Sequence, residues 1–118
     1  MANTGFKEKE LVEEGEIISS IELAGPQQMA LDVLLLEKSI NSSKVSLKLR
    51  FYTWEGSWLS IGHNQKKIPE RWVELARSQR LGIVRRPTGG NAVLHSGGLT
   101  YSLIWQSPPR SKHEAYFY

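Results

Sequence analysis

The sequence predicts an α+β fold, a mixed and mostly antiparallel sheet with helices packed on one side. Three observations predict it. Several short stretches alternate apolar and polar residues, as half-buried strands do. Two others repeat apolar residues at helical spacing, and each opens on a proline. Turns rich in glycine, proline and serine separate them. At 118 residues, 40% hydrophobic and 23% charged, the chain has the size and composition of one globular domain.

Residues 1–15 are polar and are expected to be a flexible N-terminus. EIISSIEL (16–23) is a candidate strand, and GPQQMALDVLLLEKS (25–39) a helix begun by Gly25 and Pro26. Its apolar residues Met29, Ala30, Val33, Leu34 and Leu36 predict a broad buried face. VSLKLRFYTW (45–54) alternates: Val45, Leu47, Leu49 and Phe51 form one face, Ser46, Lys48, Arg50 and Tyr52 the other. WLSIGHNQ (58–65) is a second strand of this region. IPERWVELARSQRLG (68–82) reads as a helix, with Trp72, Leu75, Ala76 and Gln79 along its stripe and Gly82 past its end. IVRR (83–86) is a strand, PTGG a bend, and 91–95 with 99–106 a β-hairpin across a glycine turn. SKHEAYFY at the end reads as the first turns of a truncated helix, because terminal aromatics would otherwise leave apolar surface in water.

Composition excludes several chemistries within this chain. It has no cysteine, so disulfides, thiolate zinc sites and a cysteine nucleophile are ruled out. His63, His95 and His113 have no metal-ligand spacing, and no metal site is expected. No apolar run is long enough to span a membrane, and the charged start lacks a signal-peptide core. A cytoplasmic protein without membrane partners is therefore expected. Charge is uneven: residues 1–40 hold eight acidic and three basic residues, whereas 41–118 hold four acidic and twelve basic. The basic part suits an anionic ligand or an acidic partner. Exposed aromatics beside basic residues could stack nucleobases, but no RNP-like pattern is present, so nucleic acid is not an expected partner.

The most informative stretch is RRPTGGNAVLHSGGLTYSLIW (85–105). Glycines admit positive φ and close approach, and successive N–H groups in such a bend make an anion-binding nest. A guanidinium suits a carboxylate or phosphate. Arg85 and Arg86 alternate along a strand, so only one faces the bend. The stretch is no P-loop, lacking the Lys-Ser/Thr end, and no dinucleotide fingerprint, since a strand and not a helix follows.

These residues resemble the signature of the lipoate–protein ligase A and octanoyltransferase family, related to biotin–protein ligases: Arg-Arg, one or two residues, Gly-Gly, a variable residue, Ala-Val, one residue, His. QQMALDVLLLE is similar to the family's first helix, and RFYTWEGSWLSIGHNQ to its Tyr-x-Trp…Ser-x-Gly-x-x-Gln strand pair. The resemblance implies a class II synthetase/biotin ligase-like fold of which 16–118 is the N-terminal part of the catalytic domain. It implies acyl transfer in protein lipoylation, attaching lipoate or octanoate to a lysine of a lipoyl-domain acceptor protein. The ligases of the family activate the acid with ATP and Mg to an acyl-adenylate. The octanoyltransferases take the acyl group from acyl carrier protein through a cysteine thioester.

By motif position, the resemblance places Arg86 at the acyl-adenylate phosphate or the acyl carbonyl. Thr88, Gly89 and Gly90 shape the bend. Asn91, Ala92, Val93 and Leu94 lie along the ligand, and His95 at the cleft rim, where a packed, hydrogen-bonded histidine explains it equally well. Asp32, Trp54 and Gln65 match family positions where packing explains them equally well. The chain departs from the pattern at Asn91, usually Gly or Arg, at Ser96, often Asp, and at Val33, often Glu. No segment matches the family's downstream Lys-x-x-Gly-Ser-Ala type lysine, so the isolated chain is expected to be inactive, with no catalytic residue of its own. The alternative is a non-catalytic acyl- or protein-binding module with a ligase-like fold.

Overall fold

The computed structural model describes residues 12, 14–19, 21–78, 81–106 and 115–117. The expected flexible N-terminus lies mostly outside them, but the first strand already begins at Glu14. In chain order the elements are β1 (Glu14–Ile18), α1 (Gly25–Ile40), β2 (Ser46–Tyr52), β3 (Trp58–Ile61), α2 (Glu70–Ser78), β4 (Gly82–Arg85), β5 (Val93–His95), β6 (Thr100–Gln106) and β7 (Ala115–Phe117). The predicted α+β class holds, but the single sheet becomes two. One has the order β1-β2-β6-β7, the other β4-β3-β5. β1 and β2 run parallel across α1, and β3 and β4 run parallel across α2. A parallel pair needs such a crossover. The other three pairings are antiparallel.

The predicted hairpin does not form. β6 lies against β2 over seven residues, from Ser46↔Gln106 to Tyr52↔Thr100. β5, only three residues long, pairs instead with β3, placing His95 opposite Trp58. The link between β5 and β6, with Gly97 at φ +78°, steps from one sheet to the other. A long ladder and a free edge on β3 outweigh the local turn signal. The C-terminal helix is corrected as well: Ala115–Phe117 is a strand paired with Ile104–Gln106.

α1 begins where Gln28 N–H closes the first turn on the Ala24 carbonyl (3.0 Å). Its buried stripe is Gly25, Gln28, Met29, Asp32 and Ser39, at helical spacing. Ala30, Val33 and Leu34 point outward, contrary to expectation. On β2 the polar face is the covered one: Ser46, Arg50 and Tyr52 are buried. Asp32 on α1 and Arg50 on β2 pair across these two covered faces. In α2, Ala76 is buried as predicted, Leu75 is exposed, and Gln79 lies outside the described residues. Met29, Tyr52 and Trp54 form the core, with Trp58 and Val84 against it. The Trp58 indole sits between Gly25 and Gly82, where added Cβ atoms would come within 2.6 and 2.1 Å of the ring. Gly82 therefore starts β4 and clears space for Trp58.

Candidate functional site

The end of β3 and the bend after β4 fold onto each other. Arg86 N–H donates to the Ile61 carbonyl and His63 N–H to the Thr88 carbonyl, both at 2.8 Å. The Arg86 guanidinium completes the clasp. Its Nη1 donates to the Ser60 carbonyl and to Ser60 Oγ, both at 2.8 Å. Its Nη2 donates to the carbonyls of Gly89 (3.0 Å) and Asn91 (2.8 Å). Arg85, on the opposite face, donates from Nη1 to the carbonyls of Gly62, His63 and Gln65. Both arginines thus bind backbone oxygens and hold two loops in shape. Gly90 sits at φ +101°, which favours glycine, with Arg86 Nη2 beside it. Burial lowers the Arg86 pKa below its usual value.

His95 stands at the rim of this clasp. Its Nε2 lies 2.8 Å from Ser60 Oγ. Its ring stacks on Trp54, with centroids 4.2 Å apart and planes 13° off parallel. Trp54 is fixed in turn by a hydrogen bond from Nε1 to Thr100 Oγ1 (2.9 Å). Burial, followed by the Arg86 charge, lowers the His95 pKa below its usual 6.5. The ring is therefore neutral at neutral pH.

Beneath the bend lies a buried polar cluster. Arg50 donates from Nη2 (2.8 Å) and Nε (3.1 Å) to Asp32 Oδ1, and also to the side chain and carbonyl of Gln28. The guanidinium lies 3.8 Å over the Tyr52 ring. Tyr52 OH donates to Asp32 Oδ2 at 3.4 Å. Burial first, then the Asp32 charge, pushes the Tyr52 pKa up to about 12. Folding therefore favours the neutral phenol. That contribution is complete below the unfolded value of 10.0 and is lost as pH rises through about 12. Absorbance titration should show a phenol that stays neutral past pH 10 and ionises near 12, and Tyr52→Phe should remove that step. Ionisation of every tyrosine near pH 10 would contradict the burial.

Two hollows adjoin the clasp. A groove of about 390 Å3 runs beside β5 and the start of β6, lined by Val93, Leu94, His95, Leu99 and Tyr101. A smaller one of about 140 Å3 lies between the bend and the core, lined by Met29, Asp32, Tyr52, Arg86 and Thr88. Of the residues chosen from sequence, Arg86, Gly89, Gly90 and Asn91 meet in the clasp, and Thr88 joins it through its carbonyl. Val93, Leu94 and His95 border the larger groove. Ala92, half-buried, connects the two. Ser60, Gly62 and Arg50 join the site in the structure as well. The Ser-x-Gly-x-x-Gln spacing flagged the first two, and nothing local flagged Arg50.

The donor set does not fit a metal or a nucleotide phosphate as it stands. Four hydrogen bonds occupy Arg86, and Asp32 is tied to Arg50 and Tyr52. Among the described residues no three His, Cys, Asp or Glu side chains converge. No helix among them is long and apolar enough to cross a membrane.

Comparison with known proteins adds independent findings. The sequence profile described as "Lipoyl protein ligase A/B catalytic domain" matches residues 25–118. An octanoyltransferase LipM of Carboxydothermus hydrogenoformans is 42% identical over 95 residues, covering 79% of this chain and 34% of that protein. The LipM of Brevibacillus brevis is 40% identical over 109 residues, covering 89% and 39%. The chain thus spans little more than a third of the length of these curated relatives. Among solved structures, a bi-partite lipoate protein ligase of Thermoplasma acidophilum, studied with its E2 lipoyl domain, superposes with a TM-score of 0.61 at 26% identity, over 80% of this chain and 36% of that one.

Proposed function

The chain belongs to the lipoyl protein ligase A/B catalytic domain family, and from that premise we propose that it forms the acyl-holding part of a site that transfers octanoate or lipoate to a lysine of a lipoyl-domain acceptor. The observation that carries this reading is the pairing of a rigid, arginine-pinned bend with an apolar groove of about 390 Å3. That volume lies within the range of small-ligand sites. Val93, Leu94, Leu99 and Tyr101 offer apolar surface to a medium acyl chain. The bend, with Arg86 and His95, faces its polar end.

The proposed roles divide between holding and shaping. Thr88, Gly89, Gly90 and Asn91 form the bend, Ala92, Val93 and Leu94 the wall. Arg86 holds the bend and sets a positive field beside the acyl carbonyl, favouring the negative charge that develops on the oxygen when an amine attacks. A thioester-forming cysteine would have to come from outside these 118 residues, because they contain none. An acyl carrier protein is the donor in the octanoyltransferase variant of the reading. ATP with Mg belongs to the ligase variant of the reading. A cytoplasmic location accompanies either variant.

Calorimetry with octanoate and with lipoate tests the reading, repeated with Arg86→Ala. Binding by the folded chain, weakened at least tenfold in the variant, is the expected result. A folded chain that binds neither acid would refute it. The second reading, a non-catalytic acyl-binding module, is favoured by the commitment of Arg86 to backbone carbonyls. Octanoyl transfer to a lipoyl domain, assayed with a polypeptide that supplies the thioester cysteine added to the chain, separates the two.

A further inference from the structure

Ser60 is fully buried between Arg86 and His95. Its hydroxyl has one proton and two lone pairs. Arg86 Nη1 only donates, so at 2.8 Å it occupies one lone pair. The hydroxyl proton then needs an acceptor, and bulk water cannot reach it. His95 Nε2, also at 2.8 Å, is the acceptor on hand. If Nε2 carried the proton instead, the hydroxyl would receive two donors and its own proton would be left buried without a partner.

We infer that Ser60 is a positioning residue that fixes His95 as the neutral Nδ1–H tautomer, so that His95 serves the site as a hydrogen-bond donor and not as a base. Trp54, stacked on the ring, holds the plane in which that donor points. Arg86 is the charged group facing His95 from the bend, while Ser60 and Trp54 face it as neutral groups from β3 and from the segment after β2. A positive neighbour opposes protonation of the ring, in the same direction as the hydrogen-bond accounting. What the donor is for, a carbonyl oxygen of the acyl group, rests on the reading above; the tautomer itself does not.

The test is a long-range 1H–15N correlation spectrum of the chain with labelled histidine, with His63→Gln and His113→Gln to assign the three rings. His95 is expected with its proton on Nδ1 and with a titration below 6.5. Ser60→Ala should let the Nε2–H form appear and move the titration upward. Ser60→Thr keeps the hydroxyl and should restore the wild-type pattern. A merely structural role for Ser60 would leave the tautomer unchanged. An Nε2–H ring in the unaltered chain overturns the inference without any variant, as does a folded Ser60→Ala with an unchanged ring. If the Nδ1–H ring is found but calorimetry detects no acyl binding, the functional reading falls and the tautomer assignment stands.

Discussion

Asp32→Ala is expected to destabilise the protein by about 3–5 kcal/mol, the usual consequence of removing one partner from a buried ion pair. Asp32 and Arg50 are almost wholly buried, at 3% and 4% side-chain exposure, and 2.8 Å apart. Without the carboxylate, Arg50 keeps its charge and its two bonds to Gln28, but nothing neutralises it. Tyr52 loses its acceptor as well. The effect should appear as an unchanged urea slope with a lower midpoint. The paired change Asp32→Leu with Arg50→Met should recover most of the loss, because apolar residues of similar volume replace a buried pair at little cost. A coupling energy near zero in that cycle would mean that Arg50 is solvated and the cluster is not closed.

The same pair explains where reading the sequence failed. Alternation in SLKLRFY gave the two faces of β2 correctly but not which one was covered, since apolar residues normally turn inward. Here a carboxylate on α1 meets the guanidinium on β2 and draws the polar face under the helix. Only tertiary proximity of residues 18 positions apart reveals that. The hairpin error has a similar source. Turn chemistry at Ser96–Leu99 is local, whereas the choice between β3 and β6 as the partner of β5 depends on which edges are free across the whole chain. The Arg86–His95 stretch was legible because its parts are local: two arginines, glycines for the bend, and a short apolar strand. Arg86 looked like a hand open to a ligand, and in the structure its guanidinium holds carbonyls of its own bend.

The clasp made by Arg86 gives Gly62 more weight than the double glycine of the motif. Gly62→Ala is expected to lift the bend off β3 and abolish acyl binding. A Cβ there would lie 2.0 Å from the Gly90 carbonyl oxygen and 3.0 Å from its carbon. Both are backbone atoms, so no side-chain rotation relieves the clash. Gly62 cannot retreat, because its carbonyl accepts from Arg85 (3.0 Å) and its N–H donates to Gln65 Oε1 (3.1 Å). The bend must move, breaking the hydrogen bonds of His63 and Arg86 that hold it. Overpacking of this kind costs about 1–3 kcal/mol, less than the loss of Asp32, yet it falls entirely on the site. Gly89→Ala is the control: nothing lies within 4 Å of its added Cβ and its φ is not positive, so it should bind as the parent does. Hydrogen exchange reads the difference directly. The His63 and Arg86 amides should lose protection in Gly62→Ala and keep it in Gly89→Ala. Were Gly62→Ala to bind normally with both amides protected, the bend would not be held by β3, and a rigid clasp would not be what positions the acyl end.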